Sequence, residues 1–305
     1  MKPYRVFLCE HIHPTAFQTL EAAAEIVTDP TIAHAAINRN LRFDRAWMEQ
    51  CPNLKVIGIH GTGTDGVDLQ AARELGIQVV YAPGENAQSV AELIVAYALL
   101  LSRHIPQFDR EIQSGATPVS GGGTLVGREL RGKTFGTIGC GRIARKAAAI
   151  LRNGFGMETI GYSPSLPQGD EITRCDSPAE VFRKADILSI SVPLNDSTRN
   201  LVDRDLLSQA KPGAMFINTS RGGVVDEDAL YDALVSGKLA AAACDVFTQE
   251  PPTTENRLVT LPNFLATPHI GANTDEALSR VSNSTVDQIL KVLQGRTDES
   301  VRFVK

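Results

Sequence analysis

Residues 134–148 read TFGTIGCGRIARKAA, and the fold follows from this stretch. Its first five residues, apolar or β-branched around one glycine, read as a buried strand. Gly139, Cys140, Gly141, Arg142, Ile143 and Ala144 then form a G-x-G-x-x-A turn that opens a helix. In such a turn the first glycine permits the tight bend and the second lets backbone approach a pyrophosphate. The third small residue lets helix and strand pack closely. The helix N-terminus adds unpaired N–H groups and a partial positive charge, which suit an anion. A glycine pattern alone is weak. A strand before it and a helix after it are what a dinucleotide-binding turn requires.

Outward from this turn, strands and helices alternate in both directions. Toward the N-terminus, strands are expected over residues 4–9, 54–59 and 78–81. Helices are expected over residues 15–24 and after Asp68, the latter stopping at Gly76, and a long helix over 88–104, capped by Asn86 or Ser89. Toward the C-terminus, strands are expected over residues 159–162, 187–192, 215–219, 241–246 and 264–266. Helices are expected over 143–152, over 227–235 between Asp226 and Gly237, and over 274–293, ending at Gly295. Such alternation builds parallel sheets covered by helices. Residues 114–127, SGATPVSGGGTLVG, read as a loop. The expected organisation is two α/β domains: residues 1–102 with 277–305, closed by the last helix, and a dinucleotide-binding domain over 103–276.

Composition narrows the function classes. Among 305 residues, 30 are Lys or Arg and 35 are Asp or Glu, a net charge of −5. No clustered positive surface for nucleic acid is expected. A hydrophobic share of 43% with 21% charged residues belongs to a folded chain rather than a disordered one. No apolar run has membrane-spanning length, and the start does not read as a signal peptide. Five dispersed cysteines without a C-x-x-C pair suggest reduced thiols in the cytoplasm, with no metal site.

Three residues suit acid–base chemistry. Arg221 in INTSRGG, Glu250 in CDVFTQEPP and His269 in ATPHIGA each follow an expected strand. The carboxyl ends of parallel strands share one rim, where open sheets bind ligands. A histidine passes protons near neutrality, a carboxylate beside it holds the imidazolium, and an arginine fork binds a carboxylate or polarises a carbonyl. Singly, each is an ordinary surface or structural residue; the three together, beside a dinucleotide turn, point to acid–base chemistry on a cofactor-bound substrate. At the end of the strand after that turn stands Ser163, where an acid would bind the ribose hydroxyls. Arg174 is the next arginine, so NAD and NADP both stay open.

The ordered motifs LKVIGIHGTGTDGVDL, NAQSVAEL, GTIGCGRIARKAA, FGMETIGYSP, KPGAMFINTSRGGVVDEDAL, DVFTQEPP and TPHIGANTDEA cover residues 54–277. Through them the chain resembles the D-isomer-specific 2-hydroxyacid dehydrogenases, nearest their D-3-phosphoglycerate dehydrogenase branch. The resemblance implies a Rossmann-type nucleotide-binding domain inserted into a flavodoxin-like substrate-binding domain. It implies His269 as general acid/base, Glu250 as its partner and Arg221 as binder of the substrate's carboxylate and carbonyl. Backbone amides around Thr62, Gly63 and Thr64 would hold the carboxylate of a small anionic 2-hydroxy or 2-keto acid, with His60 just before them. Ser89, Arg142 and Ile143 would lie by the phosphates of NAD or NADP, beside Gly139 and Gly141. Val192 and Pro193 would line the adenine side, with Thr198 and Thr219 in the cofactor set, and Asp245 would face the nicotinamide carboxamide. The resemblance also implies a homodimer, joined through the cofactor domains and the segment near the long helix.

Departures from the family pattern are informative. The phosphoglycerate branch tends to carry Arg at His60, so a phosphorylated substrate loses a permanent charge here. Ser163 replaces the usual acid, Ala144 the third glycine, and the glycine-rich residues 114–127 a Trp-containing segment. With Lys305 last, feedback through an appended regulatory domain is not expected. A different reading on the same fold is an NAD(H)-sensing, corepressor-like binding protein.

Overall fold

The computed structural model describes residues 2–39, 41–116, 126–296 and 298–304. The chain begins β1 (Arg5–Leu8), α1 (Pro14–Ala23), β2 (Glu25–Val27), β3 (Ala35–Asn38), α2 (Arg45–Glu49), β4 (Val56–Ile59), α3 (Leu69–Glu74) and β5 (Gln78–Tyr81). It continues α4 (Ala87–Ser102), α5 (Ile105–Gln113), β6 (Thr134–Ile138), α6 (Arg142–Phe155), β7 (Glu158–Tyr162), β8 (Thr173–Arg174), α7 (Pro178–Lys184) and β9 (Ile187–Ile190). Then follow α8 (Arg204–Ser208), β10 (Ala214–Asn218), α9 (Glu227–Val235), β11 (Leu239–Cys244), β12 (Phe264–Ala266) and α10 (Asp275–Leu293). Residues 117–125, most of the glycine-rich stretch, lie outside the described residues.

The chain divides into two units, Met1–Asn86 with Ala272–Lys305, and Ala87–Gly271. In the first, a five-stranded parallel sheet has the order β2-β1-β3-β4-β5, the flavodoxin-like order. One face is covered by α1 and α10 through Leu20, Val56, Val286 and Ile289. The other is covered by α2 and α3 through Met48, Ile57, Ala71 and Val79. The Asp68 cap expected from sequence is present, its side chain accepting from the Ala71 N–H, and the structure adds Thr274, which accepts from the Ala277 N–H to begin α10.

In the second unit, a seven-stranded parallel sheet runs β12-β11-β10-β9-β6-β7-β8. The order reverses beside β6, which is the doubly wound Rossmann arrangement and places the switch point at the glycine turn. One face packs Val181, Leu206, Leu230 and Phe216 under α7, α8 and α9. The other packs Ile94, Tyr97, Ala147 and Leu151 under α4 and α6. That second face explains why the unit begins at Ala87 rather than at residue 103: α4 spends its buried side on α6, β10 and β11.

The helix expected over residues 88–104 ends at Ser102. His104 adopts a left-handed φ of 53°, and α5 restarts with Pro106 in its first turn, where its missing N–H is harmless. No residue of α5 is buried, and Ile105 and Ile112 face solvent. Among the described residues no single helix is long and apolar enough to cross a membrane, and no group of His, Cys, Asp and Glu side chains is placed to hold a metal ion.

Candidate active site

The turn after β6 has the stereochemistry its sequence demands. Gly139 sits at φ +89°, and a Cβ there would lie 2.3 Å from the Ser191 carbonyl oxygen. Its amide donates to the Tyr162 carbonyl (2.8 Å), and its carbonyl accepts from the Thr137 hydroxyl (2.9 Å). Ala144 is fully buried where α6 meets the sheet. Gly141 is exposed, and a Cβ there would meet no protein atom within 4 Å. It begins the 14-residue α6 without a side-chain cap. An uncapped helix start with open space before it fits the diphosphate of a dinucleotide.

The remaining residues expected around a cofactor belong to this unit. Ser89 is buried in the first turn of α4, and Arg142 and Ile143 lie in the first turn of α6. Ser163 stands one residue past β7, with its Oγ 3.4 Å from Ser165 Oγ. Arg174 is turned instead to the Leu166 carbonyl (2.8 Å). Val192 and Pro193 follow β9 and Thr219 follows β10. The Thr198 hydroxyl is engaged in its own turn, donating to the Pro193 carbonyl (2.6 Å) and accepting from the Asn195 amide (2.9 Å).

Arg221, Glu250 and His269 follow β10, β11 and β12. Asn218, at the buried end of β10, shapes the first of these turns. Its Oδ1 accepts from the Ser220 amide (3.0 Å) and hydroxyl (2.8 Å), and its Nδ2 donates to the Arg221 carbonyl (3.1 Å). One guanidinium nitrogen of Arg221 donates to the Ser220 carbonyl (2.7 Å). The next residue, Gly222, lies against the Phe247–Thr248 backbone so closely that a Cβ would sit 1.9 Å from the Phe247 carbonyl carbon. Phe247 in turn donates its amide to Glu250 Oε1 (3.0 Å), and Glu250 Oε2 lies 2.8 Å from His269 Nδ1. Glu227, at the start of α9, pins the same loop through the Thr248 amide and the Asn256 side chain (2.7 Å each). Three segments distant in sequence are thereby locked into one rim.

Burial by itself pushes the Glu250 carboxyl up. The hydrogen bond and charge of His269, the Phe247 N–H and the Arg221 charge outweigh it and hold the group below its ordinary range. His269 is one of three non-glycine residues described with a positive φ, at 56°. Its amide donates to the Asp245 carbonyl (2.8 Å). Asp245 is 1% exposed. Its carboxylate accepts from the Ile270 amide (2.8 Å), the Gly271 amide (2.7 Å) and the Thr267 hydroxyl. Asp245 therefore holds the segment that carries His269, a role not visible from its position in the motif. The sequence alone does not mark Glu227, and it marks Asn218 only as a polar residue closing an otherwise apolar strand.

In the first unit, Thr62, Gly63 and Thr64 form the turn after β4, and the Thr62 hydroxyl points to the Ala82 carbonyl (3.4 Å). His60 is only 6% exposed, with Nε2 2.7 Å from Ser282 Oγ on α10. Burial, with the charges of Arg39 and His11, lowers its pKa to about 4, so the ring is neutral at neutral pH.

The family profile described as "D-isomer specific 2-hydroxyacid dehydrogenase, NAD binding domain" matches residues 95–271. A Thermotoga maritima protein named hydroxypyruvate reductase is 42% identical over 81% of this chain and 80% of its own length. A Methanocaldococcus jannaschii D-3-phosphoglycerate dehydrogenase is 36% identical over 97% of this chain, which spans 59% of that relative. The solved structure of the TT0316 protein from Thermus thermophilus superimposes with a TM-score of 0.90, at 31% identity, covering 99% of this chain and 100% of that one.

Proposed function

This chain belongs to the D-isomer-specific 2-hydroxyacid dehydrogenase family, and on that premise we propose that it interconverts a small D-2-hydroxy acid and its 2-keto acid. The substrate class is that of hydroxypyruvate, glyoxylate or 3-phosphoglycerate. The observation that carries this reading is the 2.8 Å pairing of His269 Nδ1 with Glu250 on the rim that also bears Arg221. An ionised carboxylate only accepts, so the Nδ1–H faces Glu250 and Nε2 is left for substrate.

In the reductive direction, protonated His269 gives its Nε2 proton to the carbonyl oxygen of the 2-keto acid. Arg221 binds the substrate carboxylate and carbonyl and stabilises the charge that grows on oxygen. In oxidation, neutral His269 takes the hydroxyl proton. A nicotinamide held in this unit would supply the hydride in reduction and accept it in oxidation. Gly139, Gly141, Arg142, Ile143 and Ser89 would hold the diphosphate. Val192, Pro193, Thr198 and Thr219 would take the adenine side, and Asp245 the nicotinamide end. Ser163 places no negative charge at the ribose, so NADH and NADPH are both admitted. Amides around Thr62, Gly63 and Thr64 would bind the substrate carboxylate. Neutral His60 supports hydroxypyruvate as a better substrate than its phosphorylated analogue. The exposed Ile105 and Ile112 of amphipathic α5 support a homodimer, which sedimentation would test. Five cysteines outside any disulfide suit a reducing cytoplasm.

The deciding experiment is a panel of 2-keto acids with NADH and with NADPH. It includes hydroxypyruvate, glyoxylate and phosphohydroxypyruvate, with 3-phosphoglycerate in the oxidative direction. Turnover of at least one, abolished by His269→Ala with cofactor affinity nearly intact, is expected. Loss of cofactor binding as the sole defect of His269→Ala would overturn the role given to that residue. Tight cofactor binding without any turnover would favour a cofactor sensor.

A further inference from the structure

A buried line of hydroxyl groups lies behind the acid–base pair. Tyr97, on α4, is 1% exposed, and its hydroxyl hydrogen-bonds Thr267 Oγ1. Thr267 Oγ1 meets Asp245 Oδ1, which also accepts from the Ile270 amide (2.8 Å), while Oδ2 accepts from the Gly271 amide (2.7 Å). The direction of each bond follows from chemistry. The carboxylate has no proton to give, so Thr267 donates to Asp245 and has only acceptor capacity left for Tyr97. Tyr97 therefore donates to Thr267. Burial, with the Asp245 charge, keeps the phenol protonated by raising its pKa. Burial likewise raises the pKa of the neighbouring Cys244 thiol and keeps it neutral. The chain of donors ends on the residue whose carboxylate and carbonyl both grip residues 267–271, including His269 at φ 56°.

We propose that Tyr97 and Thr267 are positioning residues for His269, acting through Asp245, and this rests on His269 being the acid/base. The charged groups around His269 in this unit are Glu250 at its Nδ1, Arg221 beside Glu250, and Asp245 beneath its backbone. Each donor along this line spreads part of the Asp245 negative charge, Thr267 directly and Tyr97 by polarising the Thr267 hydroxyl. Removing one leaves a stronger negative potential under the imidazole, which favours the protonated ring. The same removal loosens the turn that aims it.

Tyr97→Phe deletes one hydroxyl and preserves the buried ring. It is expected to lower kcat by roughly three- to tenfold with little change in KM, and to move the alkaline limb of the reductive pH profile to higher pH. Thr267→Val removes the direct donor, so its loss is expected to be larger, roughly tenfold to a hundredfold, with Thr267→Ser restoring most of it. NMR titration of the imidazole, assigned with His269→Ala, reads the same shift without any turnover. If wild type turns over no substrate in the panel, the functional reading fails while this titration still decides the positioning role. An unmoved His269 titration in folded Tyr97→Phe and Thr267→Val would overturn the proposal. So would a Thr267→Ser variant as impaired as Thr267→Val.

Discussion

Two adjacent glycines follow Arg221, and the structure gives them opposite sensitivities. Replacing Gly222 with Ala places a Cβ 1.9 Å from the Phe247 carbonyl carbon and 2.2 Å from both the Phe247 oxygen and the Thr248 nitrogen. Carbon contacts settle near ~3.5 Å, so the two backbones must separate by roughly 1.5 Å. All three obstacles are main-chain atoms, and no rotamer change relieves them. The displaced Phe247 amide is the donor to Glu250 Oε1, and Arg221 is bonded directly to the substituted residue. Arg221 thus moves away from the Glu250–His269 pair. Misplacement of about 1 Å in a catalytic constellation costs on the order of a hundredfold, equivalent to about 2.7 kcal/mol of barrier. Overpacking adds about 1–3 kcal/mol of lost stability. At Gly223 the nearest atoms to a Cβ are Leu194 Cδ2 at 3.1 Å, Leu194 Cδ1 at 3.3 Å and an Arg199 nitrogen at 3.7 Å, all ends of side chains that can yield. Gly223→Ala is expected within about threefold of wild type. The assay is kcat/KM for 2-keto acid reduction at a temperature where melting curves show both variants folded. Wild-type kcat/KM in Gly222→Ala, or equal damage from both substitutions, would refute the close approach as the device that sets the rim.

Glu250→Gln removes the counter-charge of His269, so the alkaline limb of the reductive profile is expected to move to lower pH, by about one unit or less because the two side chains are 39% and 35% exposed. This is the opposite sign from Tyr97→Phe. The Glu250 carboxyl is held below its ordinary range in the fold, so its contribution is present above the unfolded-state value and fades as pH falls through the folded one. After solvent screening it amounts to less than about 1 kcal/mol. The melting temperatures of wild type and Glu250→Gln should therefore converge on acidification below about pH 4, and a gap that widens would reverse the assignment. Ser163→Asp places a carboxylate where a 2′-phosphate would sit. NADPH use should fall at least about tenfold while NADH use holds; an unchanged ratio would place the ribose elsewhere.

Much of this architecture is legible because its signals are local. β6 spans residues 134–138 and α9 spans residues 227–235, as the apolar pattern and the Asp226 cap imply. β3 was not legible: Ala35–Asn38 is short and rich in alanine, and only its place between β1 and β4 makes it a strand. The two-residue β8 is likewise produced by its neighbour β7. At the site, Arg221, Glu250 and His269 stood out because strand ends share a rim and the residue types share a chemistry. The Tyr97–Thr267 bond joins residues 170 positions apart, and the contacts from Asp245 to residues 267, 270 and 271 span 22 to 26. Such partners are chosen by tertiary packing, and periodicity carries no trace of them.

The two carboxylates near His269 differ in hydration, and the difference assigns their work. Asp245 is 1% exposed, and a charge so stripped of water is tolerable only when its oxygens are hydrogen-bonded. Its donors come from residues 267–271, so satisfying the buried charge and fixing the His269 turn are one event. A non-glycine residue at φ 56° costs about 1–2 kcal/mol, and this over-determined network is what sustains it. Glu250 touches the imidazole itself, whose charge changes in every cycle. Were that partner as dry as Asp245, each deprotonation of His269 would leave an uncompensated buried anion, a cost of several kcal/mol placed on the reaction path. With about a third of its side chain exposed, Glu250 keeps water to answer the lost charge. A dry anion on the backbone and a hydrated anion on the ring let His269 gain and lose a proton while the turn that aims it stays still.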